Sequence, residues 1–381
     1  MFRRRISAAV LLVAATIAVA WFLSEPSYQG RPLHAWLKDL DDQHPGPNND
    51  AANEALRHIG HAAVPEIVSL LERRDSDLRQ RFLKWLSDHH VVKSAYTPVP
   101  VLANRHRAVH ACYVIGPEAK PAIPALISLL NDGDYVRRNL GTVGAALGRI
   151  GSDEAVIPMI GSLTNSNLYV RWEVARSFEI DFDPRNIRYV ASLRSNASIV
   201  VPAMLKCLQD NAPSVRNAAA RCLGNIGQQP ATVIPALVGM LASEKETLSR
   251  CNICVAIGQF KQQAHSATDP LFAALEDADP CVRGTAAIAL ARIEPENSTT
   301  VEKVMPYLIE DLTGITGPNV KHSLNFQSPA VQALGECGSL AKPAVPALLE
   351  YLKTVPPHQH EAVAKSLKAI DPAAAAKAGV K

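Results

Sequence analysis

Aromatic side chains make up only 5% of these 381 residues, and the motifs that announce catalysis are missing. No GxSxG elbow, GxxxxGK[ST] phosphate loop, GxGxxG dinucleotide turn or HExxH pair occurs anywhere in the chain. An excess of one charge is also missing. Arg3, Arg4 and Arg5 lie in a first stretch of 23 residues that has no acidic residue and no lysine. The chain has 39 basic and 36 acidic residues, so the remaining body holds 36 of each. Nucleic-acid binders rely on a net basic surface to neutralise phosphates, and a neutral body argues against one. The apolar content is instead carried by Ala, Leu, Val and Ile, which suits closely packed helices. Twenty-seven prolines exclude long uninterrupted helices and point to many short ones, each opened or ended by a proline.

What is present begins with a targeting signal. Three arginines precede eighteen uncharged residues, Ile6 to Leu23. As a helix this run spans about 27 Å, close to the roughly 30 Å of a bilayer's hydrocarbon core. Arginines stay on the cytoplasmic side, so everything after Leu23 is expected beyond the membrane, in the periplasm of a bacterial cell. Residues 1–23 therefore read as a retained anchor spanning 6–23. The alternative is a signal peptide cut near Ala20, where Ala18-Val19-Ala20 offers a small-x-small site, leaving a secreted protein.

A two-helix unit then repeats. Its first helix carries a proline within an apolar stretch, at Pro65, Pro124, Pro158, Pro202, Pro235, Pro270, Pro306 and Pro346. From Pro124 onward the spacings are 34, 44, 33, 35, 36 and 40 residues, a solenoid period. A second marker, mostly a "VR" pair, falls at Val136, Val170, Val215, Leu248 and Val282, with spacings of 34, 45, 33 and 34. In four of these five units an Asn or Asp precedes the arginine by six residues: Asn131 and Arg137, Asn165 and Arg171, Asp210 and Arg216, Asp277 and Arg283. A short polar side chain there caps the turn between helices, and the arginine is placed to tie adjacent turns together. Glycines such as Gly151 and Gly227 close the second helices.

On these residues the chain resembles the HEAT-repeat family, with its proline-bearing first helix, Asp/Asn turn, "VR" and "LGNIG"-like second helix. The pattern covers about 60–372, and armadillo repeats are the nearest alternative. The resemblance implies an all-α solenoid, a right-handed superhelix of about eight helix pairs with one continuous core and no sheet. It sits behind the membrane helix, with 24–60 as a helical cap and 61–381 as the repeats. It implies a protein-interaction scaffold that binds a partner polypeptide along its surface. An accessory module or subunit of a lyase-like or hydrolase-associated enzyme, and a nucleic-acid-binding HEAT protein, are the alternatives.

No catalytic, cofactor-binding or metal-ligating residue is assigned, no small-molecule substrate is evident, and the partner-binding residues are left open. His58, His61, His89, His90, His106 and His110 cluster near an insertion. His106 and His110 have helical ligand spacing, but no acidic or Cys partner is in register with them. Cys251 and Cys254 have CxxC spacing without a second pair, and all seven cysteines read as small buried hydrophobes. Arg73, Arg74, Arg79 and Arg81 alternate with acids, as on a solvated helix face. The irregular stretches 91–103 and 313–328 interrupt the period, where recognition loops are expected.

Overall fold

The computed structural model describes residues 25–40, 47–73, 101–178, 193–313 and 327–379. The anchor at 6–23 lies outside them, as do 91–100 and 314–326 of the two irregular stretches; the remaining residues of those stretches belong to helices. Among the described residues no helix is long and apolar enough to cross a membrane. The contacts divide the chain into two compact units. One holds Met1–Ser177 with Asp181–Ser192, and the other holds Phe178–Ile180 with Leu193–Lys381. The division falls in the irregular repeat after Pro158, where the added residues break the period.

The first unit opens on an element the sequence reading missed, a two-stranded antiparallel hairpin, β1 (Ser27–Tyr28) and β2 (Arg31–Pro32). Gln29 and Gly30 form its turn with φ of 50° and 72°, the left-handed pair that a tight two-residue hairpin requires. Helix α1 (Leu33–Lys38) follows and buries Leu33, Trp36 and Leu37. The Trp36 indole N–H donates to the Arg31 carbonyl at 3.1 Å, and the Arg31 guanidinium lies 4.2 Å above its ring. Tyr28 stacks on His58 of α2 (Pro47–Ile59) at 4.6 Å. The stretch read as a helical cap thus folds as two helices and a preceding hairpin that contacts both.

Among the described residues eight helix pairs follow, as the proline register predicted. The first unit holds α3 (Val64–Glu72) with α4 (Val101–Ile115), α5 (Ile123–Leu130) with α6 (Gly133–Arg138) and α7 (Thr142–Ile150), and α8 (Asp153–Ser162) with α9 (Leu168–Ser177). The second holds α10 (Ala197–Cys207) with α11 (Pro213–Ile226), α12 (Pro230–Ser243) with α13 (Thr247–Gly258), and α14 (Thr268–Ala274) with α15 (Pro280–Ile293). It continues with α16 (Ser298–Thr313) and α17 (Gln327–Glu336), then α18 (Val345–Thr354) and α19 (His360–Ile370), and ends on α20 (Pro372–Lys377). Pro65, Pro124 and Pro346 open their helices as expected. Pro158, Pro202, Pro235 and Pro306 instead lie inside theirs, because an extra turn precedes each ring. Each such ring gives up one backbone hydrogen bond at that turn.

The second helices stack on one another, and small residues set their separation. A Cβ added to Gly224 of α11 would lie 2.6 Å from the Cα of Ala256 in α13. One added to Gly258 would lie 2.9 Å from the Cα of Ala289 in α15. Gly335 of α17 meets Ser366 of α19, and Gly144 of α7 meets Ser177 of α9 in the same way. Gly151 and Gly227 close their helices with φ of 63° and 62°, as expected. Gly144, Gly224 and Gly335 lie within helices and serve close approach, which the sequence reading had not separated from capping.

One second helix is broken. The residues expected to form a single helix up to Gly151 split into α6 and α7 at Asn139–Gly141, where Asn139 leaves helical geometry and Gly141 has φ of 85°. The break exposes the first N–H groups of α7, and Glu173 of α9 meets them. This side chain is 2% exposed and accepts from the Gly141 N–H at 2.6 Å and the Gly144 N–H at 3.0 Å. A carboxylate at a helix N-terminus is well matched to the unpaired donors and the positive end of the dipole. Burial raises the Glu173 pKa and outweighs the two N–H bonds and the charge of Arg176.

Candidate partner-binding surface

The turns between first and second helices form one edge of each unit, and the arginines hold it. Arg171 Nη1 donates to the carbonyls of Asn165 and Ser166 in its own turn, at 3.0 and 3.1 Å. Arg216 does the same to Asp210 and Asn211 and also grips Glu244 of the next turn with two bonds, at 2.9 and 3.1 Å. Arg250 bonds the Lys245 carbonyl and grips Asp277 at 2.9 and 3.0 Å. Arg283 then bonds the carbonyls of Asp277 and Ala278. Two-point guanidinium–carboxylate pairs of this kind are the strong, directional ones. Burial pushes the Glu244 and Asp277 carboxyls up, but the backbone N–H and arginine bonds outweigh it and leave both below their ordinary values.

This geometry corrects the register of the fifth unit. Ser249, fully buried, occupies the position of Val215 and Val282, so the second marker there is Ser249-Arg250 and not Leu248. Glu244 stands six residues before Arg250 and completes the pattern in all five units. Allowing Ser for Val and Glu for Asp would have found it. The polar residue six before the arginine does fold the turn, since Asn165, Asp210 and Asp277 each accept the N–H two residues on.

The next rung stays open. Asp311 stands 28 residues after Arg283, as Glu244 does after Arg216, yet no bond joins the two. Asp311 lies instead over the backbone of Gly284, where an added Cβ would be 2.7 Å from both carboxylate oxygens, and its Oδ2 is buried without a partner. Burial, with a smaller push from Glu310, raises its pKa to about 7.

The histidines do not converge. His58 stacks on Tyr28, the His61 N–H bonds Glu118, and His110 bonds Asn53, while His89 and His90 lie outside the described residues. Among the described residues, no set of His, Cys, Asp and Glu is arranged to hold a metal. All seven cysteines are buried. Arg73 approaches Glu66 at 3.9 Å, and Arg74, Arg79 and Arg81 lie outside the described residues.

A groove of about 840 Å³ lies on the first unit. Pro117, Pro121, Ile123, Pro124, Ile127 and Pro158 supply its apolar lining. His61, Glu118, Lys120 and Glu154 also line it, the last two paired at 2.9 Å. Ile157, next to Pro158, is 68% exposed. Leu140, Leu168 and Tyr169 of the same unit are exposed as well, on its second helices and at their break.

Comparison with known proteins fits this architecture. Residues 185–250 and 234–314 match the family model of HEAT repeats. Residues 185–314 carry HEAT repeats. No curated protein sequence matches it. Among solved structures it is similar to the karyopherin Kap121p bound to Pho4p, at 12% identity and a TM-score of 0.50, over 88% of this chain and 39% of that one. Kap121p bound to the SUMO protease Ulp1p gives the same figures. An engineered protein is similar over 91% of this chain and 92% of its own, at 19% identity and a TM-score of 0.39. At these identities the likeness is one of fold, and this chain spans about two fifths of the length of the Kap121p chains.

The open rung has a pH signature. The Asp311 pKa rises from 3.8 toward about 7 on folding, so the folded state holds its proton more tightly than the unfolded chain does. Its contribution is fully present below the unfolded value and is lost as pH climbs through about 7. Asp311→Asn removes that slope, so the melting temperature of the variant minus that of the parent is expected to grow between pH 4 and pH 8. A difference that stays constant over that range contradicts the assignment.

Proposed function

We propose that this protein is a non-enzymatic scaffold that binds a partner polypeptide through the surface of its HEAT repeats. The observation that carries the reading is the proline-lined groove of the first unit with Ile157 exposed beside it. A polypeptide segment can lay apolar side chains against such a surface and bond to the polar residues that share its lining. The arginines of the rungs, by contrast, are engaged with carboxylates and carbonyls of the repeats themselves. Catalysis calls for convergent groups held in a water-excluded site, and the open groove offers area instead. The structures of Kap121p bound to Pho4p and to Ulp1p add support by analogy, since a related fold holds polypeptides there.

The second part of the proposal is location. Residues 6–23 hold the scaffold to a membrane with the repeats on the non-cytoplasmic side, a reading that rests on Arg3, Arg4 and Arg5 and the uncharged run after them. A reporter active only in the cytoplasm, fused after Lys381, is expected to be silent; activity reverses the orientation.

Binding is tested by affinity capture with the chain as bait, comparing the parent with Ile157→Asp. Ile157 is mostly solvent-exposed, so its replacement is expected to leave the melting temperature within a few degrees, as surface substitutions usually do. Capture of partners that the parent retains is expected to fall at least tenfold. Undiminished capture by Ile157→Asp removes the groove from the account.

A further inference from the structure

The open rung at Asp311 has the parts of a closed one. In the two closed rungs the arginines use their atoms alike. Nη1 holds carbonyls of its own turn, while Nε and Nη2 together grip the carboxylate of the next, Glu244 for Arg216 and Asp277 for Arg250. Arg283 makes the first of these contacts, with Nη1 donating to the Asp277 and Ala278 carbonyls at 2.9 and 3.1 Å. Among the described residues, no carboxylate completes the second. Asp311 stands at the offset that would supply one, and its carboxylate is near. A Cβ on Gly284 would be 2.7 Å from both of its oxygens. The oxygens are therefore within about 4 Å of the Gly284 Cα and about 8 Å of the Arg283 Cα. Rotation of the two side chains spans that gap, with no movement of the helices.

We propose that this rung is a proton-operated latch between the sixth and seventh helix pairs: Asp311 lies over Gly284 when protonated, and when ionised turns outward onto Nε and Nη2 of Arg283. The two positions answer two physical demands. The inner one suits a neutral carboxyl, because it leaves Oδ2 buried without a partner and has room only where residue 284 lacks a Cβ. An anion there has nothing to offset its lost hydration. The outer position suits the anion, because a two-point bond to guanidinium is strongest with an ionised acceptor. Burial, with a smaller push from Glu310, holds the inner carboxyl up at about 7. The bond to Arg283 favours the ionised form, so the latch closes at or below that value as pH rises.

Little else competes for either partner. On α15 the titratable groups around Gly284 are Cys281 and Arg283, and Glu310 adjoins Asp311 on α16. The ionisable groups of the other elements packed on α16 are engaged elsewhere. Glu336 of α17 pairs with Lys261, Glu350 of α18 pairs with Lys353, and Tyr351 bonds Gln359. Lys342, in the turn Gly338–Ala344, acts on Asp371.

A thermal-unfolding cycle on the full chain at pH 5 and pH 8 tests the latch. Asp311→Asn fixes the neutral form, and Arg283→Gln removes the charged partner. At pH 5, Arg283→Gln is expected to lower the melting temperature about equally in the parent and in Asp311→Asn. At pH 8 its cost in the parent is expected to at least double, while its cost in Asp311→Asn stays where it was. Gly284→Ala closes the inner position, so Asp311 is ionised and latched at both pH values. In that background Arg283→Gln is expected to cost as much at pH 5 as at pH 8. If Gly284→Ala does not fold, the first cycle decides alone. Equal costs at the two pH values in the parent, a rise that persists in Asp311→Asn, or a rise that persists in Gly284→Ala each overturn the proposal.

Discussion

Backbone contact between the second helices of successive repeats governs the rest of each unit. Where Gly224 meets Ala256 and Gly258 meets Ala289, there is no room for one more carbon. Helices held that close leave space for alanine, cysteine and short aliphatic side chains, which is what α11, α13 and α15 bury. In α15, every residue from Cys281 to Ile293 except Arg283 is buried. The scarcity of aromatic residues and the burial of all seven cysteines both follow from this spacing.

Close stacking fixes the distance between repeats, and the arginine rungs fix their register. Arg216 and Arg250 each join their own turn to the next one, so a repeat cannot slide along its neighbour without breaking two-point bonds that are partly shielded from water. The pattern lapses in two places, each with a physical cause. In the first unit the second helix breaks at Leu140, and Glu173 takes up the freed N–H groups. At Asp311 the side chain turns over Gly284 and leaves Arg283 with its own turn only. A buried carboxylate without a partner costs stability, and a glycine beside it is what makes that position accessible.

Much of this was legible in the sequence. Prolines and "VR" pairs, two markers with independent chemistry, gave eight helix pairs in the correct order, and the turn polar residues were assigned their role. What escaped depended on contacts far apart in sequence. The hairpin at Ser27–Pro32 is too short to show alternation and is held by Trp36 and His58. The break at Leu140 reads as continuous helix until Glu173, on another repeat, is brought beside it. The register of Arg250 was hidden because Ser249 and Glu244 replaced the expected residue types. The glycines inside helices resembled caps, since nothing local distinguishes a helix end from a point of close approach. The groove at Pro124 and Pro158 was likewise invisible, because each proline had a sufficient local reason to be there.

The central claim, that contact between second helices sets the architecture, is tested most directly by two glycine substitutions within the second unit. Gly224 abuts Ala256, whereas Gly239 of α12 has open space where a Cβ would go. On helix propensity alone, both changes to alanine stabilise by up to about 1 kcal/mol. If the contact governs the fold, Gly224→Ala lowers stability by about 1–3 kcal/mol through overpacking, and Gly239→Ala leaves it unchanged or raises it. Thermal unfolding in which Gly224→Ala is as stable as Gly239→Ala contradicts the account.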